Sequence, residues 1–365
     1  MDELIARSIR IIKAGQGASG AYFACPTYPT YQYCWFRDGA FTAHALDLWG
    51  EQQSAARFYD WAAQMVAANA SAVERCVDAV AGNRLPDPSD LLHTRYTLDG
   101  RPGSEEWPNF QLDGFGTLLW GFGRHLSLTA AAMPAVWTDA VRLLVRYIAA
   151  LWRQPNFDCW EEFADRIAVS TLAALHAGLR TAARILVEES LSVVAGQTAA
   201  AIRAFVLERG ALGGHLIKQI DGADVVDGSL LWACVPFGED ALVGPSHPVM
   251  RGTAARIEHD LVGRTGGVHR YRADTFYGGG EWMLLTALLG EYRLAAGDQA
   301  GARHCLTYVA AHADLGGNLP EQSSAAVLAP TRVREWIDCW GPVACPLLWS
   351  HAEYLRLSQA LPVRG

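Results

Sequence analysis

At residues 157–162 the chain reads FDCWEE, which sets two adjacent glutamates against a tryptophan and a phenylalanine. An apolar wall disfavours the ionised form of a carboxyl, so one glutamate of such a pair can hold a proton near neutral pH while its neighbour stays charged. General acid–base chemistry needs that division of labour. Glutamate in a first helical turn is otherwise an ordinary partner of the helix dipole. A helix-patterned stretch of about twenty residues follows here, so it is the crowding by Phe157 and Trp160 that sets Glu161 and Glu162 apart. A further acid, Glu321, stands at the end of the Gly/Pro loop LGGNLPEQ (315–322).

Other stretches carry groups suited to holding polar ligands. YQYCWFRDGAF (31–41) places Arg37 beside Asp38 after Tyr31 and Trp35, and a fork-shaped donor next to a carboxylate can grip vicinal hydroxyls. Taken alone, the pair reads first as a helix cap, with Asp38 favouring the dipole and Arg37 pairing with it. EEWPNFQLDGF (105–115) brings Trp107, Gln111 and Asp113 together, a stacking face with an amide and a carboxylate; a turn built on Asp-Gly is the competing reading. GGVHRYRADTFYGGGEW (266–282) holds Arg270 and Asp274 among glycines. No Lys-Ser/Thr follows those glycines and no strand precedes them, so loop flexibility or a close backbone approach fits better than a phosphate cradle. PLLWSHAEY (346–354) opens a last helix with Trp349, and His351 there reads as a core or interhelical histidine.

These residues need a frame. Apolar residues three and four apart predict helices at Phe41–Trp49, Ala55–Ala70, Ala135–Trp152, Ile167–Val187, Leu191–Leu207, Trp282–Ala296 and Ala300–Ala313. Strand-like alternation is confined to pieces such as Leu92–Leu98, which ends in the turn signal Asp99-Gly100. The class is therefore all-α with minor β-hairpin loops. At roughly 30 residues per helix and connection, the chain holds about twelve helices, enough for helical hairpins wound into a closed double ring. An α-solenoid would show a motif repeat, which is absent. One domain over residues 1–365 is the expectation. Loops rich in Gly, Pro and aromatics at 25–36, 83–90, 99–116, 263–281 and 314–323 are placed to carry functional side chains.

Composition removes several function classes. With 365 residues, 51% hydrophobic, the chain can bury a large core. A net charge of −8 with no Lys/Arg run argues against nucleic acid as a partner. Eight cysteines without a CxxC or CxxH pair read as reduced thiols, with no metal site expected. The opening MDELIARSIRIIKAG lacks the basic flank and apolar run of a signal peptide, and no unbroken apolar run spans a membrane, so a cytoplasmic protein is expected. Thirteen Trp and 12 Tyr supply faces that can stack on sugars.

Taken in order, Arg-Asp, Trp…Gln-x-Asp, Trp-Glu-Glu, Arg-x-x-x-Asp, Glu-Gln and Trp-Ser-x-Ala-Glu resemble the glucoamylase-like glycoside hydrolases of family 15. The resemblance implies an (α/α)6 barrel with a pocket at one end, hydrolysing terminal α-linked glucose with inversion and without a cofactor. It implies Glu161 as general acid and Glu321 as the base that activates water. It places Arg37, Asp38 and Arg270 on the sugar hydroxyls, Tyr31 near the water, and Trp35, Trp107 and Trp349 in the walls. Gln111 and Asp113 would border the acid, Glu162 would meet the leaving sugar, Asp274 would fix Arg270, and Trp160 would dry and orient Glu161. Fungal relatives have Arg where this chain has Asn109, and RYPED where it has RYRAD. With no N-terminal β-sandwich or starch-binding module, short substrates are expected, isomaltose ahead of maltose-type oligosaccharides and trehalose. A sugar-binding protein without catalysis is the reading from another class; a lyase would need more basic residues than these motifs hold.

Overall fold

The computed structural model describes residues 2–361. Its helices are α1 (Asp2–Ala14), α2 (Phe36–Leu48), α3 (Gln52–Ala68), α4 (Ala70–Ala81), α5 (Asp113–Thr129), α6 (Ala135–Leu151), α7 (Val169–Ile185), α8 (Glu189–Arg209), α9 (Pro248–Leu261), α10 (Met283–Ala295), α11 (Gln299–Ala311), α12 (Val333–Trp340) and α13 (Leu348–Ala360). Burial sorts them into two rings. In α2 every residue from Phe36 to Asp47 is buried, and α10 is buried from Met283 to Tyr292, so these helices have no face left for water. A helix enclosed all round must lie inside. In α6, by contrast, Trp137, Ala140, Val141, Leu144, Val145, Ile148 and Leu151 form one buried stripe, the mark of an outer helix.

The inner ring closes on itself. α2 packs on α5, α5 on α7, α7 on the short 3-10 segment Gly228–Ala233, that segment on α10, α10 on α13, and α13 back on α2. The sixth inner position is thus a single tight segment, flanked outside by α9. α3, α6, α8, α11 and α1 cover the other inner helices. This is the (α/α)6 barrel. One inner contact is backbone on backbone: a Cβ at Gly178 would sit 2.2 Å from the Gly116 carbonyl oxygen, so α5 and α7 approach there only because both positions lack one.

Connection lengths decide where function can sit. Inner helices lead to outer ones through short links at 49–51, 130–134, 186–188 and 296–298. Outer helices return inward through long loops at 15–35, 82–112, 152–168, 262–282 and 312–347. All the long loops therefore collect over the N-terminal ends of the inner helices, where partial positive charge favours carboxylates and other oxygen ligands. Two-residue strands clip the loops together: β1 (Cys34–Trp35) pairs with β2 (Arg95–Tyr96), β3 (Ala211–Leu212) with β4 (His215–Leu216), and β5 (Val268–His269), β6 (Glu281–Trp282) and β7 (Gln322–Ser323) form one antiparallel sheet.

Several sequence expectations shift. The helix predicted from Phe41 begins at Phe36, which puts Arg37 and Asp38 in its first turn. Only Arg95–Tyr96 of the Leu92–Leu98 run is strand, because the next residues bend back, with Gly100 at φ 88°. α4 and α9 were not foreseen; α4 is split from α3 at Asn69, and α9 carries an interrupted apolar pattern, PVMRGTAARIEHDL. α8 is long and apolar enough by length and composition to cross a membrane, yet Leu191, Ala195, Ala199, Ile202 and Val206 are buried against its neighbours.

Candidate active site

The long loops enclose a cavity of about 280 Å³ whose lining includes both Glu161 and Glu321. Two acids 160 positions apart in sequence (321 − 161) border one space. Glu161 does not stand in a helical turn, as its place before α7 suggested. It occupies a tight turn in which the Asp158 carboxylate accepts from the backbone N–H of Trp160 (2.9 Å) and Glu162 (3.0 Å). Glu161 and Phe163 both adopt left-handed backbone, φ 67° and 58°, which costs a non-glycine residue on the order of 1–3 kcal/mol each and persists only where neighbours enforce it.

The enforcing groups lie underneath. Lys218 Nζ sits 2.7 Å from Asp227, 3.4 Å from Asp158 and 3.7 Å above the Tyr271 ring. Burial works against its charge, but Asp227, Asp158 and Glu162 outweigh that and hold the ammonium protonated. The Trp160 indole N–H also donates to Asp227, 3.0 Å from each oxygen. Trp160 thus lines the cavity with its ring while its polar edge fastens the turn that carries Glu161. The donors on Glu161 are Trp35 Nε1 (2.7 Å) and Gln111 Nε2 (3.0 Å), both to Oε1. Removing one partner of a buried ion pair strands the other, so Lys218→Met should lower unfolding free energy by about 3–5 kcal/mol. Denaturant titration measures this; a loss below about 1 kcal/mol contradicts the role.

Arg37 is the hub of the opposite wall. Its Nη1 donates to Gln111 Oε1 (3.0 Å) and Asp113 (3.3 Å), its Nε donates to Asp38 (3.1 Å), and its guanidinium lies 5.3 Å from the Trp349 ring centroid. α2 has no side-chain cap bond, but Asp38 stands in its first turn and pairs with Arg37 as the helix reading expects, and both residues also line the cavity. Burial lifts Asp38 to about 6 against the pull of Arg37. Trp349 is the floor, stacked on Phe41 at 5.4 Å and held through its N–H by Glu353 at 2.9 Å. Asp113 and Gln111 both stay behind this wall, outside the cavity lining: Gln111 bonds Glu161 directly, and Asp113 reaches the acid only through Arg37 and Gln111.

On the third side Asp274 holds Arg270 through two bonds of 2.8 and 2.5 Å, as the sequence suggested. Arg270 and Tyr271 in turn hold Glu162, at 3.3 and 2.6 Å. Glu321 accepts from the Tyr31 hydroxyl at 3.2 Å through Oε1, while its Oε2 is buried with no partner among the described residues. Tyr31 is edge-on to Trp35 at 5.8 Å, so these two rings bridge the space between the glutamates. The sequence reading placed burial-raised proton affinity in the Trp-Glu-Glu motif; the structure puts a strong case of it at Glu321. Burial pushes that carboxyl up to about 8, opposed by Arg270 and Tyr31. His351 anchors the Glu321 loop by accepting from the Leu319 N–H at 3.0 Å. Burial lowers that histidine to about 3, which keeps it a neutral acceptor, in line with the interhelical reading.

A sequence profile of glycosyl hydrolases family 15 matches residues 2–328. The chain belongs to glycosyl hydrolase family 15. It is 42% identical to an isomaltose glucohydrolase of Kribbella flavida over 99% of this chain and 93% of that protein. Among solved structures, a glycosidase glutamate-to-alanine variant in complex with glucose matches with 41% identity and TM-score 0.94, over 98% of this chain and 96% of that one. A bacterial glucoamylase complexed with acarbose, 22% identical, shares the fold with TM-score 0.73 over 98% of this chain and 55% of its own. The protein is a glycoside hydrolase.

Other parts of this family 15 site gave no sequence signal. Arg95 lies between Trp107 (3.9 Å) and Tyr33 (4.2 Å) and pairs with Glu105, so it braces the Trp107 wall from behind. Lys218 and Asp227 stand in a loop whose local pattern is unremarkable, while Tyr271, Phe276 and Trp282 lie in the aromatic loop at 266–282, where packing and not spacing gives each its role. Asn109 is occupied by the backbone, its Oδ1 accepting from Thr94 N–H at 2.9 Å, and Arg272 of RYRAD points to Asp260. The glycines after Arg270 serve close approach: a Cβ at Gly280 would lie 2.3 Å from the Ser323 carbonyl oxygen, where β6 meets β7.

Proposed function

We infer that this family 15 hydrolase is an exo-acting, inverting α-glucosidase that releases β-D-glucose from the non-reducing end of short α-glucosides, with isomaltose as the preferred substrate. The observation that carries it is the convergence of Glu161 and Glu321 on one cavity with a floor of Trp349. A pocket closed by a floor admits a chain end and excludes internal bonds. Arg37, Asp38 and Arg270 supply buried, preoriented partners for the hydroxyls of that terminal glucose. The identity to the isomaltose glucohydrolase over nearly the whole chain supports the α-1,6 choice.

The proton inventory is complete within the chain. Trp35 and Gln111 both occupy Oε1 of Glu161, leaving Oε2 to carry the proton given to the glycosidic oxygen. Glu321 Oε2, buried and unpartnered, is the acceptor for a proton from water. As water's oxygen bonds to C1, the C1–O bond breaks on the opposite face, Glu161 ends ionised and Glu321 ends protonated. Burial favours the neutral form of Glu321, so it strengthens that group as a base once it is ionised. Inversion needs carboxyls about 6.5–9.5 Å apart with a water between them. Proton NMR of the first turnover should show β-glucose from isomaltose, with maltose and trehalose cleaved more slowly. An initial α-anomer contradicts inversion, and absence of glucose from all three sugars contradicts the substrate reading.

A further inference from the structure

Within that reading, the site's mouth holds a feature that none of the six motifs contains. The cavity is lined by Trp336 and Trp340 from α12, beyond the last residue of the family match at 328. α12 has Val333, Trp336, Ile337 and Trp340 spaced as one helical stripe, with Arg334 and Asp338 paired to each other off it. None of its eight residues is buried. An apolar stripe of this kind ordinarily packs on a core; here two of its rings border the cavity instead.

The mouth and the floor are distinguishable. Trp349, at the floor, is 3% exposed, whereas Trp340 is 48% exposed. Trp336 is held in place, edge-on to Phe276 at 4.8 Å and 6.0 Å from Tyr277. Tyr277 ties the end of α12 by donating to the Gly341 carbonyl at 3.0 Å, and Ala329 N–H donates to the Gly278 carbonyl at 2.9 Å. The segment is therefore anchored on the turn at 276–279. Gly278 is required there, since a Cβ would lie 2.5 Å from Val333.

We propose that Trp336 and Trp340 form the binding platform for the leaving sugar, stacking on its C–H face while Arg37, Asp38 and Trp349 hold the glucose being released. A terminal glucose seated on the floor directs the rest of the substrate to the mouth, where these rings stand. Stacked aromatic faces recognise a pyranose ring without demanding one hydroxyl pattern. The platform selects for a sugar as aglycone, and a substrate with no aglycone ring does not use it.

Kinetics of Trp336→Ala and Trp340→Ala on two substrates test this: the disaccharide that the wild-type chain cleaves best, and α-glucosyl fluoride, whose leaving group offers no ring to stack. The double variant is expected to lose about tenfold or more in kcat/KM on the disaccharide, equivalent to about 1.4 kcal/mol, while the fluoride is hydrolysed at nearly the wild-type rate. An equal loss on both substrates, or none on either, overturns the platform. A wild-type preference for a disaccharide other than isomaltose would correct the linkage reading alone, because the ratio between the two substrates is then measured with that sugar.

Discussion

Glu321→Gln should remove glucose release from every α-glucoside, with kcat lowered by about 10²–10⁴ or more, the range for losing a positioned base. The amide keeps the shape and the Tyr31 contact but cannot accept the proton of water. The loss should extend to α-glucosyl fluoride, since water must be activated whatever departs. Wild-type kcat/KM should also fall on the acid side of a limb set by Glu321. A base works when ionised, and burial raises this carboxyl to about 8, so activity falls as pH drops through a region well above the ordinary glutamate value of 4.5. Steady-state rates across pH check both statements; retained activity in the Gln variant, or an acid limb near the ordinary value, contradicts them.

Glu161→Gln should divide the substrates instead. Isomaltose departs as an alkoxide unless its oxygen is protonated, so kcat/KM on it should fall by about 10²–10⁴. Fluoride needs no such help, and α-glucosyl fluoride should keep most of its rate. An equal fall on both would mean that Glu161 binds the glucose and does not act as its acid. Trp35→Phe should reproduce a weaker form of the same split, because the indole N–H at 2.7 Å is one of the two donors that hold Glu161 Oε1.

Much of the frame and of the acid pair is legible along the chain. Periodicity at three and four residues records which faces are buried, and it located α3, α6, α7, α8, α10 and α11 to within a few residues. Motif order was enough to single out Glu161, Glu321, Arg37 and Arg270, all of which border the cavity. Arg270 and Asp274, four apart, find each other because such spacing brings side chains within reach wherever the chain turns tightly.

What only the tertiary structure decided is which groups touch across the rings. Trp160 turns its N–H to Asp227, Glu161 takes its donors from Trp35 and Gln111, and Lys218 ties the turn from below through Asp158, contacts that join residues 67, 126, 50 and 60 (218 − 158) positions apart. Local sequence carries side-chain type and helical phase, but no term in either reports a partner on another loop. Closure of the inner ring sets those distances, and with them the burial that raises Glu321 and leaves its buried Oε2 without a protein partner among the described residues.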